Sequence, residues 1–233
     1  MKLSHRNMLE FYIFLAVATY VVLAGLVLQK VFLPLTPWHG GNGLLEGGDW
    51  ILFQKVSVDY ALKIREMGWG QFDLRPEGYG PSGLAAFIYA GTDINEPWIL
   101  LPVNGAVYAI AALGLFWIIK AVGAGTKVAL YALLPMILMP SLAIVWGQLH
   151  KDVWTTAAIL LLLSFWVRLF VGKGFDLWAS LLVLSFVNAS LWWMRPYTLQ
   201  MIMLGQVVMF FLLVISRLKH KKMVPLLFGL LSI

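Results

Sequence analysis

Polar side chains in three places of an otherwise apolar chain are of types that move protons and bind anions. Glu46 and Asp49 lie close together in Leu45-Glu46-Gly47-Gly48-Asp49-Trp50. His150, Lys151 and Asp152 are consecutive, and Arg195 stands in Trp192-Trp193-Met194-Arg195-Pro196-Tyr197. Carboxylates beside cations make a composite of acids and bases, and a planar guanidinium can donate two hydrogen bonds to one phosphate. Each position also has a plainer reading. Asp49, directly before a helical pattern, is a natural N-cap, Glu46 is a solvated loop acid, and Asp152 caps the helix that follows it. Arg195 at a helix junction is placed to snorkel, and Asn104 and Asn188 suit interhelical hydrogen bonds.

The elements that must position these groups follow from composition. Of 233 residues, 61% are hydrophobic and 12% charged, whereas a soluble domain carries roughly 25% charged residues. The chain therefore reads as an all-α, polytopic transmembrane helix bundle forming a single integral membrane domain. A bilayer core needs about 20 apolar helical residues. Six runs approach that length: 11–29, 98–119, 128–149, 153–171 (with Arg168 near its end), 177–194 and 197–216. The first is long for a signal peptide and lacks a small-residue cleavage site after it, so it is expected to be retained. A partial seventh run, 223–233, stops at 11 residues; either the chain continues beyond it or that helix is re-entrant. Pro135 and Pro140 should kink the third run. The absence of cysteine excludes disulfides, thiol nucleophiles and Cys-ligated metals. No P-loop or dinucleotide-binding glycine pattern occurs.

With the amino terminus in the cytoplasm, the inner segments carry ten basic residues against two acids and the outer ones seven against nine. This is the positive-inside bias, so the net charge of +6 needs no nucleic acid as partner. All three polar clusters then fall on the outer side, where short turns can gather them around one cavity. Tryptophans near the span ends form interfacial belts. The outer loop, 30–97, begins with Pro34, Pro37 and a glycine-rich stretch and then carries an amphipathic helix at 50–67. Phe53, Val56, Tyr60, Ile64 and Met67 share one face of it, while Lys55, Asp59, Lys63 and Glu66 share the other. That helix is expected to lie flat on the membrane, and the short run Leu84 to Ala90 to dip into the interface.

The order of these features resembles the C-type membrane glycosyltransferases, the fold of protein O-mannosyltransferases, oligosaccharyltransferase catalytic subunits and bacterial aminoarabinose transferases. The resemblance covers nearly all of the chain. It rests on helix 11–29, the early loop acid in Leu45-Glu46-Gly47-Gly48-Asp49-Trp50, Glu77-Gly78-Tyr79-Gly80-Pro81, and Pro102-Val103-Asn104. It continues through Leu134-Pro135, the turn from Pro140-Ser141 to His150-Lys151-Asp152, and Arg195-Pro196-Tyr197. It implies inverting transfer of a hexosyl or pentosyl group from a polyprenyl-phosphate carrier to a lipid, glycan or protein acceptor. The expected place is the outer face of a bacterial plasma (inner) membrane, among its lipids. Asp49 matches the family's first-loop base, with Glu46 beside it, and Asp152 matches the acid of the second outer loop. Lys151 and Arg195, with His150 and Tyr79, are the candidates for holding substrate. Many members have two adjacent first-loop acids, whereas Glu46 and Asp49 are separated here. No cofactor is required by these residues, and a divalent metal on Asp49 and Asp152 is chemically allowed.

Two other classes compete. A transporter or accessory subunit for lipid-linked saccharides in envelope assembly would concentrate its polar groups near the bilayer midplane. An interfacial scaffold would depend on the apolar face of 50–67 and not on Asp49.

Overall fold

The computed structural model describes residues 5–172 and 177–218, and the regular elements among them are all helical. In chain order the helices are α1 (His5–Val27), α2 (Asp49–Met67), α3 (Gly80–Thr92), α4 (Leu101–Ala121), α5 (Thr126–Tyr131), α6 (Leu134–Leu138), α7 (Pro140–Trp146), α8 (Asp152–Val171), α9 (Leu177–Met194) and α10 (Pro196–Leu218). Four stretches are long and apolar enough to cross a membrane, namely Asn7–Leu35, Pro97–Ala121, Asp152–Val171 and Pro196–Ser216. They fit an integral membrane protein. The partial seventh run at 223–233 lies outside the described residues.

The run 128–149 differs from its reading as one span, because its two prolines cut it into α5, α6 and α7. A proline offers no N–H to the carbonyl four residues earlier. For Pro135 that carbonyl belongs to Tyr131, the last residue of α5; for Pro140 it belongs to Met136. The carbonyl freed at Met136 finds another donor, as a buried backbone group must, accepting from the Tyr108 hydroxyl at 2.8 Å. Next to it, Ile137 O accepts from the Tyr20 hydroxyl at 2.8 Å. The α9 run keeps its boundaries, but its apolar stretch, Trp178–Met194, falls just short of a span.

The chain clusters into two compact units, where the sequence reads as one domain. The first comprises Met1–Ala109 with Met136–Trp154, the second Ile110–Pro135 with Thr155–Ile233. In the second unit, Phe165, Trp166, Leu184, Val187, Leu191 and Leu213 from α8, α9 and α10 pack into one apolar core.

In the first unit, α1 continues through a π-helical turn, Leu28–Phe32, and a 3₁₀ turn, Leu33–Leu35, that contains Pro34. Gly105 of α4 meets the backbone of α1 closely enough that a Cβ there would lie 2.8 Å from Ala18 O. The loop region folds onto this frame as a helical pair. Phe53, Val56, Ala61 and Ile64, the apolar face of α2, are buried, and Phe53 and Ala61 pack against Ala85 and Tyr89 of α3, Leu100 and Leu149. Protein covers Phe53, Val56 and Ile64 of the face that sequence alone offers to lipid, while Met67 at its end stays exposed. The run Leu84 to Ala90 lies within α3 and likewise turns Ala85, Ala86 and Tyr89 inward.

Polar side chains lock the pair. The Tyr89 hydroxyl donates to Gln54 Oε1 at 2.6 Å, and Gln54 Nε2 donates to Asn95 O at 2.8 Å. Burial pushes the Tyr89 hydroxyl far above the ordinary tyrosine range, against the opposing effect of the Gln54 bond, so it remains a neutral donor. Arg65 closes the other end, bonding Asn95 Oδ1 at 2.8 Å and pairing with Asp93 at 2.9 Å. Lys30, beyond α1, pairs with Glu96 just before α4 and lies over the Trp98 ring.

Candidate functional site

The first turn of α2 rests on the turn between α7 and α8. Lys151 Nζ reaches Asp49 Oδ2 at 3.2 Å across 102 positions of sequence. The same ammonium stands 5.5 Å from the centre of the Phe53 ring. Asp49 and Phe53 are four residues apart on one helical face, so a single cation is held between a carboxylate and an aromatic face. Trp50, the residue between these contacts in the turn, lays its ring against His150 with centroids 5.5 Å apart. Tyr79 meets Phe53 from the other side at 5.2 Å.

Local folding explains why these side chains point where they do. Gly48 is the N-cap of α2 with extended backbone (φ −108°), so Asp49 is the first helical residue and not the cap expected of it. Its charge still complements the helix dipole, while its oxygen is directed to Lys151. Asp152 likewise opens α8 from inside. Its N–H donates to His150 Nδ1 at 3.1 Å, and its carboxylate lies 3.1 Å from the same nitrogen. One imidazole nitrogen cannot accept the N–H and donate to the carboxylate at once. A ring with a bare Nδ1 serves the first contact, and one carrying its hydrogen on Nδ1 the second.

The placement of the Asp49 loop depends on a residue that the sequence did not single out. Gln148 is 1% exposed. Its Oε1 accepts the Leu45 N–H at 3.0 Å, its Nε2 donates to Gly147 O at 3.0 Å and Gly43 O at 3.4 Å, and its own carbonyl accepts from Asn104 Nδ2 at 3.2 Å. Gln29, equally buried, donates from Nε2 to Gly147 O at 2.6 Å. Trp50 Nε1 then donates to Leu45 O at 2.5 Å. The segment Gly43–Leu45 is thus tied on one side to Gln148 and on the other to α2. Asn104, read as an interhelical hydrogen-bonding group, does that work here by also donating to Trp146 O at 3.0 Å.

The structure therefore brings Asp49, His150, Lys151 and Asp152 into one neighbourhood of the first unit, with Tyr79 joined through Phe53. Glu46 is exposed, and its backbone N–H, not its carboxylate, makes its bond, to Trp38 O at 2.8 Å. Arg195 belongs to the second unit. There its N–H closes α9 on Leu191 O at 2.7 Å, and its carbonyl accepts from Thr198 N at 3.0 Å where α10 begins. Among the described residues no three His, Cys, Asp or Glu are grouped so as to hold a metal ion. Asp49 and Asp152 do not by themselves furnish such a ligand set.

No family model matches the chain, and comparison with curated proteins and with solved structures finds no match.

Proposed function

We propose that the chain is a membrane glycosyltransferase of the C type, moving a sugar from a polyprenyl-phosphate donor to an acceptor hydroxyl. In this reading residues 30–97 and the turn 147–151 lie on the outer face of a bacterial plasma membrane, with the amino terminus in the cytoplasm. The observation that carries it is the meeting of Asp49 with Lys151. A proton acceptor and a fixed cation, far apart in sequence, share one place at the same end of α1, α4 and α8.

The chemistry needs both. Asp49 takes the proton as the acceptor O–H breaks and the new bond to the anomeric carbon forms. The bond from that carbon to the phosphate oxygen breaks, its electron pair leaving with the phosphate, and attack from the opposite side inverts the centre. Lys151 stabilises the departing charge. Lys151 occupies one Asp49 oxygen, and a donor phosphate competes for that ammonium, releasing the carboxylate to the acceptor. Asp152 and His150 sit beside Lys151 as polar partners for substrate hydroxyls, and Tyr79 offers a ring edge next to Phe53. Glu46 remains a candidate for a second acid.

Membranes bearing the whole protein, supplied with labelled polyprenyl-phosphate sugar, test the reading. D49N and D152N should each lower transfer by about two or more orders of magnitude, the loss expected when a general base or a site acid is removed. Unaltered turnover in both removes the assignment.

A further inference from the structure

Packing of α2 on α3 leaves one apolar cluster of this region uncovered. Trp69 is 53% exposed and Phe87 50% exposed, with ring centroids 5.3 Å apart. Phe72 meets Phe87 edge-on at 5.7 Å and is itself 36% exposed, and Met67 and Leu74 extend the surface. These rings touch one another while remaining open to the outside. A contiguous apolar patch of this kind marks a surface that meets something else.

Its place in the fold says what it meets. Arg65, about one helical turn before Trp69, donates to Asn95 Oδ1 at 2.8 Å. Asn95 is two residues from Pro97, where the apolar stretch Pro97–Ala121 begins. Gln54 Nε2 donates to the carbonyl of the same Asn95 at 2.8 Å, so α2 is fastened from both halves beside the start of that apolar stretch. Lys30 and Trp98 meet at that start, the ammonium 5.6 Å from the indole centre, an arrangement suited to the headgroup region. The patch combines tryptophan and phenylalanine, whose rings favour that zone. Its charged neighbours are balanced, the acids Glu66 and Asp73 against Arg65 and Arg75, so no basic surplus selects anionic over zwitterionic lipid.

We propose that Trp69, Phe72, Leu74 and Phe87 form a lipid contact, seated among the headgroups and upper acyl chains of a zwitterionic bilayer beside the start of α4. The loop region meets the membrane through this cluster and not through Phe53, Val56 and Ile64 of α2, which are buried. The contact holds whether or not the chain transfers sugar.

The chain contains no cysteine, so single nitroxide labels can be placed by W69C, F72C and F87C, with K55C and D59C for comparison. The whole protein is reconstituted into phosphatidylcholine vesicles without other proteins. Labels at 69, 72 and 87 should collide more often with oxygen than with a water-soluble nickel chelate, and labels at 55 and 59 the reverse. Aqueous behaviour at the three patch positions overturns the proposal and points to a protein partner instead. A second measurement avoids labelling: W69F should remove part of the tryptophan emission that brominated phosphatidylcholine quenches. An unchanged quenchable fraction also overturns it.

Discussion

Lys151 is held by two different attractions at once, a carboxylate 3.2 Å away and an aromatic face 5.5 Å away. It is only 22% exposed at its side chain, whereas Asp49 is 64% exposed. The cation is the more covered member of the pair and the carboxylate the accessible one, as the proposed general-base role requires. Asp49 and the string His150-Lys151-Asp152 were legible in the sequence because charges stand out at the ends of apolar runs. Gln148 was not, because a lone amide beside an apolar run has no periodic signature and reveals its role only through partners distant in sequence. Replacing it tests that role: Q148L should strip the Leu45 N–H of its acceptor and destabilise the protein by about 1–3 kcal/mol, read as a lower thermal midpoint in detergent. A second residue-scale prediction concerns pH. The hydrogen bond from Lys30 holds the Glu96 carboxyl below its ordinary value of 4.5. The folded state therefore gains stability from this group above that value and loses it as pH falls through the lowered folded value. E96Q should flatten that acid limb of the stability profile, measured by thermal unfolding between neutral pH and pH 3, while the wild type keeps it.

Among the elements, the prolines behaved as their chemistry demands, and they did more than kink the third run. Each ended a helix at or near the carbonyl it could not serve, and Tyr108 supplied a donor to the carbonyl left open at Met136. A helix, α2, occupies Asp49–Met67, and of the apolar face expected at 50–67 Phe53, Val56 and Ile64 are buried while Met67 is exposed. What covered that face could not be read, since a helical period of apolar residues looks the same whether lipid or protein lies against it. The answer came from α3, whose Ala85 and Tyr89 pack against Phe53 and Ala61, and α3 also seats the preceding loop. At Gly83 a Cβ would stand 2.0 Å from Leu74 O, a backbone atom that cannot swing away. G83A should therefore push the 73–74 segment off α3. The expected cost is about 1–3 kcal/mol, visible as a lower thermal midpoint of the solubilised protein, with G70A, where nothing lies within 4 Å of the added carbon, as the tolerated control.

At the scale of the whole molecule, composition offered six runs of spanning length, because about 20 uncharged residues in succession have few other uses; four spans are long and apolar enough to cross a membrane, while the runs at 128–149 and 177–194 yield shorter apolar helices. The division into two compact units was not apparent, since α4 and α8 run without interruption from one unit into the other. Arg195 falls in the second unit, and Asp49 and Lys151 in the first. The claim on which the functional account depends is that Asp49 and Lys151 act as one device. A double-mutant cycle on sugar transfer by the reconstituted chain measures this most directly, with D49N, K151M and the double variant compared with the wild type. Residues that work as a unit give strongly non-additive losses. The account predicts that each single variant loses about 100-fold or more and that the double variant loses little beyond the worse single one. Losses that multiply independently, or single variants that turn over like the wild type, would contradict it.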